Sequence, residues 1–271
     1  MENIRQAIER AKGQQRQETV NLETPRAQAR LVLGDSQPGG YRPQRIDLDR
    51  THLQSHRIVA YEGKDPRSRS FDMLRTEILQ SMDLKGWKTL AVTSPTPGCG
   101  KTLAAVNIAL SMGRQLDRQV LLVDLDLRKP QVARCLGLKC KDGVAGVIEE
   151  QVELHGAIVE ARVGDSRLEV LSTVPASNPS DMIGSVGMKS FLQEITGRSQ
   201  SRIVILDLPP LLTGHDVISI LPQVDCVLLV AAVGTSKVRE IEECNKYLQG
   251  TDVVRFVLNK VPESTTGYTY Y

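Results

Sequence analysis

Ser94-Pro-Thr-Pro-Gly-Cys-Gly-Lys101-Thr102 follows the apolar run Thr89-Leu-Ala-Val-Thr93, and together they read as a strand entering a loop that opens a helix. Glycines let backbone N–H groups close on an anion, the lysine adds charge, and the threonine hydroxyl suits a divalent cation. The strict pattern G-x-x-x-x-G-K-[ST] is not met, because Pro95 stands where the first glycine belongs. Context restores the reading. Leu103, Ala104, Val106, Ile108 and Ala109 after the loop predict an amphipathic helix, so Gly98, Cys99, Gly100 and the Lys101 and Thr102 amides form an anion nest at its amino terminus.

Two further apolar runs end in carboxylates: Val120-Leu-Leu-Val-Asp124-Leu-Asp126-Leu-Arg128 and Val204-Ile-Leu-Asp207-Leu-Pro-Pro210. Each places its acid at the carboxyl end of a buried parallel strand, where open α/β sheets collect their ligands. Asp124 and Asp126 share a face if the chain stays extended, and two acids there need a cation or a proton between them. The three segments together point to a nucleoside triphosphate with Mg²⁺. Lys101 then meets the β and γ phosphates, Thr102 offers its hydroxyl to Mg²⁺, and Asp207 orients the ion directly or through water.

Strands are expected over 89–93, 120–124, 168–172, 203–207, 227–232 and 254–259, with a further one over 57–61. Helices are expected over 70–82, after Lys101, and near 181–195, 215–221 and 236–248. That alternation predicts an α/β fold with a doubly wound, mostly parallel sheet of the P-loop NTPase type. The expected organisation is a short amphipathic helix over 1–17, a flexible linker over 18–56, the ATPase domain over 57–262 and a tail over 263–271. Three of the six tyrosines, Tyr268, Tyr270 and Tyr271, fall in that tail.

With 34 Lys and Arg against 32 Asp and Glu, the charge balance gives no footprint for nucleic acid. The longest apolar run, 227–233, is far shorter than a membrane span, and the chain is expected to be soluble and cytoplasmic. Five cysteines without C-x-x-C spacing fit reduced thiols, and four scattered histidines offer no transition-metal set.

In order and content the three motifs resemble the bacterial tyrosine kinases of capsule and exopolysaccharide export. Leu74-Arg75-Thr76, Pro97-Gly98, Asp124 to Pro130, Asn178-Pro179 and Val257-Leu-Asn259-Lys260 carry the resemblance further, over roughly 57–271. Related cell-division and plasmid-partition ATPases carry a lysine where Thr96 stands, which separates this chain from them. The resemblance implies an ATP- and Mg²⁺-dependent autokinase that phosphorylates Tyr268, Tyr270 and Tyr271, normally on a neighbouring subunit. It assigns catalysis to Lys101, Asp124, Asp126 and Asp207, and metal binding to Thr102, Asp124 and Asp207. Nucleotide contacts fall to Pro97, Gly98, Cys99, Gly100, Lys101, Thr102 and Leu103, with Arg128 and Asn259. It also implies a membrane-anchored polysaccharide co-polymerase as activating adaptor at the inner face of the membrane, self-association, and a tyrosine phosphatase. The alternative is a nucleotide-switched ATPase that recruits partners without kinase activity.

Two departures carry expectations of their own. Cys99 replaces a frequent glutamate: a small side chain in a tight loop is the simpler reading, and oxidative control of a thiol at a helix amino terminus is the other. The family's assembly helix reads E-x-x-R-x-x-R, whereas Arg69, Asp72 and Arg75 hold those places here. Either an arginine–aspartate pairing between subunits or a solvated helix face follows.

Overall fold

The computed structural model describes residues 43–141, 143–197 and 201–262. The expected helix over 1–17 and the tail tyrosines Tyr268, Tyr270 and Tyr271 lie outside the described residues. In chain order the elements are β1 (Gln44–Asp47), α1 (Arg50–Ser55), α2 (Arg69–Lys85), β2 (Thr89–Thr93), α3 (Lys101–Met112), β3 (Gln119–Asp124) and α4 (Val132–Leu136). They continue with α5 (Gly143–Ile148), α6 (Leu154–Ala157), β4 (Val159–Val163), β5 (Ser166–Leu171), α7 (Pro179–Gly184), α8 (Val186–Gly197) and β6 (Arg202–Asp207). The last are α9 (Asp216–Ile220), β7 (Cys226–Ala232), α10 (Val238–Tyr247) and β8 (Asp252–Asn259).

Eight strands form one sheet in the order β1-β4-β5-β3-β6-β2-β7-β8. From β5 to β8 neighbours run parallel, while β4 lies antiparallel to β5 and β1 follows the direction of β4. Strands β2, β6 and β7 are buried at every position, as continuous apolar runs must be when helices cover both faces of a sheet. Leu90, Val92, Leu122, Ile205 and Leu228 face one apolar layer with Ile78, Met82 and Ile108 of α2 and α3. Ala91, Leu121, Val204 and Leu229 face the other, with Phe191, Ile195, Val217 and Cys244 of α8, α9 and α10.

Helix α3 is not amphipathic: every residue except Leu103 is buried. It lies between the sheet and α2, so its small apolar residues meet neighbours on all sides. The linker expected over 18–56 ends too late, because β1 pairs with β4 from Gln44 and α1 buries Leu53 completely. The strand expected over 57–61 is an irregular, buried segment. Its N–H groups at Val59 and Ala60 donate to Asn107 Oδ1 (2.9 and 3.0 Å) instead of a neighbouring strand. Asn107 in turn donates through Nδ2 to the carbonyls of Arg57 and Leu103 (3.2 and 2.9 Å), which closes the account of a fully buried amide.

The helix expected near 181–195 is two, split at Ser185, whose hydroxyl accepts from the Met188 N–H (3.1 Å) and caps α8. Neither reading of the α2 polar face holds for Asp72 and Arg75. Asp72 Oδ1 accepts from Arg114 Nη2 (2.7 Å) and from the Ser111 hydroxyl, and Arg75 Nη1 donates to the Ser111 carbonyl (3.2 Å). Both side chains are committed to α3 and the turn after it. Arg114 and Ser111 hold the Asp72 carboxyl below the ordinary value against the opposing effect of its partial burial.

Candidate functional site

Strands β2, β3 and β6 stand side by side at the centre of the sheet, and each ends in a piece of the site. After β2 the chain turns through Gly98 (φ +83°) and Gly100 (φ +93°) into α3, whose first-turn N–H groups have no carbonyl one turn behind them. After β6, Pro209 and Pro210 end the strand, and the turn that follows clamps the loop: Leu211 and Leu212 N–H donate to the carbonyls of Ser94 and Pro95 (2.8 and 3.1 Å). The Thr93 hydroxyl donates to the Pro209 carbonyl (2.7 Å).

Lys101 Nζ lies 3.0 Å from Asp126 Oδ2 and 3.4 Å from Asp207 Oδ1, and 3.3 Å from the Thr102 hydroxyl. Thr102 Oγ1 donates to Asp207 Oδ2 at 2.6 Å. Burial works against the charge on Lys101, but Asp207 and Asp126 outweigh it and hold its pKa above the usual lysine value. Burial also raises the pKa of Asp207, against the pull of Lys101 and Thr102.

Asp124 and Asp126 do not share a face as an extended chain requires. The strand ends at Asp124, whose carboxylate accepts from the N–H groups of Gln131 and Val132 (3.0 and 2.9 Å) at the start of α4 and of Asp126 (3.2 Å). Asp126 turns to Lys101 instead. The like-charged pair is set across the sheet: Asp124 stands in register with Asp207 on the neighbouring strand. Burial, then the Asp207 charge, pushes the Asp124 carboxyl up to about 8.

Two buried carboxylates with raised pKa values beside a threonine hydroxyl are a hard-oxygen donor set that fits Mg²⁺, with Lys101 standing in as the internal cation. Among the described residues no group of three or more His, Cys, Asp or Glu side chains forms a metal cage by itself.

The remaining expected residues divide. Pro97 and Gly98 are exposed at the loop crest, and Leu103 packs partly buried against the core. Asn259 reaches the loop from β8, donating to the Cys99 carbonyl (2.9 Å). The Cys99 side chain is fully buried, with Sγ 3.2 Å from the Ser236 hydroxyl, which fits a small side chain in a tight loop and not an oxidant-accessible thiol. Arg128 is not brought to the loop: its Nε donates to Asp216 Oδ2 (2.8 Å) and its Nη2 to Ser180 Oγ (2.6 Å). Sequence reasoning missed Asp216, Ser180 and Ser236, which lie far along the chain from the residues they hold. Only Asn178-Pro179, just before Ser180, flagged that neighbourhood.

A Cβ on Gly100 would stand 2.3 Å from Asn259 Nδ2, on a backbone at φ +93° that side chains rarely adopt. Gly100→Ala is therefore expected to weaken nucleotide affinity by about tenfold or more, since it moves loop amides and Asn259 together. Titration with a fluorescent ATP analogue measures it, and unchanged affinity would contradict the loop geometry.

No protein-family model matches the chain. Tyrosine-protein kinase YwqD of Bacillus subtilis is 30% identical over 167 residues, covering 61% of this chain and 68% of that protein. CapB of Staphylococcus aureus is 29% identical over 214 residues, covering 77% and 91%. Tyrosine-protein kinase ptk of Acinetobacter johnsonii is 28% identical over 214 residues, and the chain spans only 29% of its length, a share typical of the first curated relatives it matches. Among solved structures the kinase domain of Escherichia coli tyrosine kinase ETK superposes with a TM-score of 0.66 at 26% identity over 75% of this chain and 79% of that one. The septum site-determining protein MinD of Pyrococcus horikoshii, solved with Mg-ADP, shares the fold (TM-score 0.53, 18% identity, covering 63% and 69%). With a mostly parallel P-loop NTPase sheet, the three motifs converged at its centre, and a relative of 30% identity matched over two thirds of its length, the chain belongs to the bacterial tyrosine kinase family.

Proposed function

We propose that the chain is an ATP- and Mg²⁺-dependent protein-tyrosine kinase whose acceptors are Tyr268, Tyr270 and Tyr271 of its own kind, acting in capsule or exopolysaccharide synthesis and export. The observation that carries this is Lys101 Nζ between Asp126 and Asp207, 3.0 and 3.4 Å away, at the mouth of the phosphate loop. The loop amides from Gly98 to Thr102 receive the phosphates of ATP, and Asn259 braces the loop from behind. Thr102, Asp124 and Asp207 would hold Mg²⁺, which when bound neutralises phosphate charge. Lys101 moves from its carboxylates to the phosphate oxygens.

In the transfer, the tyrosine Oη–Pγ bond forms as the bond from Pγ to the ADP oxygen breaks, and Asp126 accepts the hydroxyl proton. A phenol with pKa near ~10 is a weak nucleophile at neutral pH, so an acceptor for its proton helps, while positioning and charge do most of the work. A membrane-anchored adaptor as activator, a neighbouring subunit as acceptor in trans, and a tyrosine phosphatase as the reverse enzyme belong to the same reading, which places the chain at the inner face of the membrane. It rests for these on the family resemblance. Among the described residues no helix is long and apolar enough to cross a membrane.

Intact-mass spectrometry after incubation with ATP and Mg²⁺, with and without the cytoplasmic segment of a cognate adaptor, tests the reading. One to three added phosphates mapping to the tail are expected. Truncation before Tyr268 is expected to remove nearly all phosphotyrosine and leave ATP affinity unchanged. ATP hydrolysis with no phosphate on protein would instead favour the nucleotide-switched regulator.

A further inference from the structure

β8 closes one end of the sheet, and among the described residues no strand lies beyond it. Its Val253, Phe256 and Leu258 pair with Val227, Leu229 and Ala231 of β7, on the side of the sheet where α10 packs. That cover stops at β7: the three side chains are 42, 47 and 52% exposed. The opposite side of β8 is closed, with Val254 and Val257 against the α2 layer and Arg255 Nε donating to Glu77 Oε2 of α2 (2.7 Å).

The hydrogen-bonding edge is open as well. Val233 N–H donates to the Asn259 carbonyl (2.9 Å), so Val257 and Asn259 turn their backbone groups to β7, and Phe256 and Leu258 turn theirs outward. Edge strands are usually guarded by lysine, proline, a charge or a bulge. Here the register shift against β7 falls at the start of the strand, and 255–259 runs on with no lysine and no charge on its exposed side. An open edge flanked by an apolar strip is a template for one more strand.

The sequence that follows supplies it. Lys260, at φ +59°, turns the chain directly after Asn259. Over 265–271 six of the seven residues are Thr or Tyr, which favour strands. Seven extended residues span about 23 Å, enough to run along most of β8. A turn over 260–264 pairs Asn259 with Thr265, which sets Tyr268 opposite Phe256 and Thr266 opposite Leu258 on the open side. A second copy must find this edge from solution, whereas the tail is tethered to it.

We propose that 265–271 returns along the free edge of β8 as a further strand, and that this docked form withholds Tyr268, Tyr270 and Tyr271 from phosphorylation. The docking stands on the edge and the tail sequence, and the withholding rests on the kinase reading. β8 ends at Asn259, which braces the phosphate loop, so the returning strand carries the tyrosines toward Asp252 and away from the site. Phosphate on Tyr268 sets about two negative charges against Phe256 and Leu258 and favours release.

Hydrogen exchange at single-residue resolution on the full chain, without nucleotide, tests the docking. The Phe256 and Leu258 amides are expected to exchange at least about tenfold faster after truncation before Glu263. Thr269→Pro should do the same, since it takes a donor from the returning strand without touching the body. Equal exchange in full-length and truncated chains would overturn the docking, as would protection that survives truncation and rises with protein concentration, the mark of a second copy on this edge. With Mg-ATP, Phe256→Ser is expected to gain tail phosphate about threefold or more faster than wild type, and Thr269→Pro serves if that variant fails to fold. An equal or lower rate would overturn the withholding. Tail-dependent protection of β8 with no phosphate on any tyrosine would retire the tyrosine acceptors, and the withholding with them, and leave the docking standing.

Discussion

Lys101→Met is expected to abolish tail phosphorylation, lowering transfer by about 10²–10³-fold or more through loss of the phosphate-binding charge. The same substitution should destabilise the nucleotide-free protein, because Asp126 and Asp207 lose their shared cation in a site where Lys101 itself is barely exposed. Breaking a buried pair from one side costs about 3–5 kcal/mol. The loss has a pH signature. An acid whose pKa is higher folded than unfolded stabilises the fold most below its unfolded value, here 3.8, and that contribution disappears as pH rises through the folded value, about 8 for Asp124. Asp207 shifts in the same direction. Lys101 draws both acids down, so its removal raises them further and makes stability fall more steeply with pH; the difference in Tm between wild type and Lys101→Met should therefore be larger at pH 8 than at pH 6, and scanning calorimetry at the two values decides it. A pH-independent difference would mean that the two acids are not compressed together in the folded chain.

Asn107→Ala should give a large loss of stability without touching the site. It strands the N–H groups of Val59 and Ala60 in the interior, where Ile58, Val59 and Ala60 are buried. The cost of leaving two buried donors without partners is about 3 kcal/mol. For a domain of this size that corresponds to a fall in Tm of roughly 6–12 °C. Asn107→Asp keeps the acceptor but loses the donor and buries a charge, so it should not rescue. Urea titration checks both variants, and a loss below about 1 kcal/mol for Asn107→Ala would show that water enters and takes over the stranded groups.

The central strands were legible because burial on both faces demands unbroken apolar runs, and 120–124, 203–207 and 227–232 supply them. β4 escaped notice although Val159-Glu-Ala-Arg-Val163 alternates as a half-buried strand should. β1 carries one apolar residue, Ile46, and no local pattern could have found it. The segment over 57–61 looked like a strand because burial alone calls for apolar residues, whatever satisfies the backbone. A side-chain amide 48 residues away does so, and sequence spacing does not encode that. In the site, the loop lysine and the strand-end acids could be read directly. Their pairing could not: which acid faces Lys101 depends on Asp124 being drawn to the start of α4, and that follows from where β3 stops.

The strand order also sets the timing of assembly. β2 has only β6 and β7 as neighbours, so Thr89 to Thr93, buried at every position in the finished sheet, finds no strand partner among the described residues that precede it or among the hundred or so that follow. At ribosomal speeds of about 5–20 residues per second, that apolar run waits roughly 5–20 s before Arg202 to Asp207 is made. The lysine and its threonine are synthesised early, but Asp207 arrives last of the site's acids. The nascent chain has no nucleotide pocket until that strand slots between β2 and β3, and until then its most adhesive segment is in the care of whatever meets it at the tunnel exit.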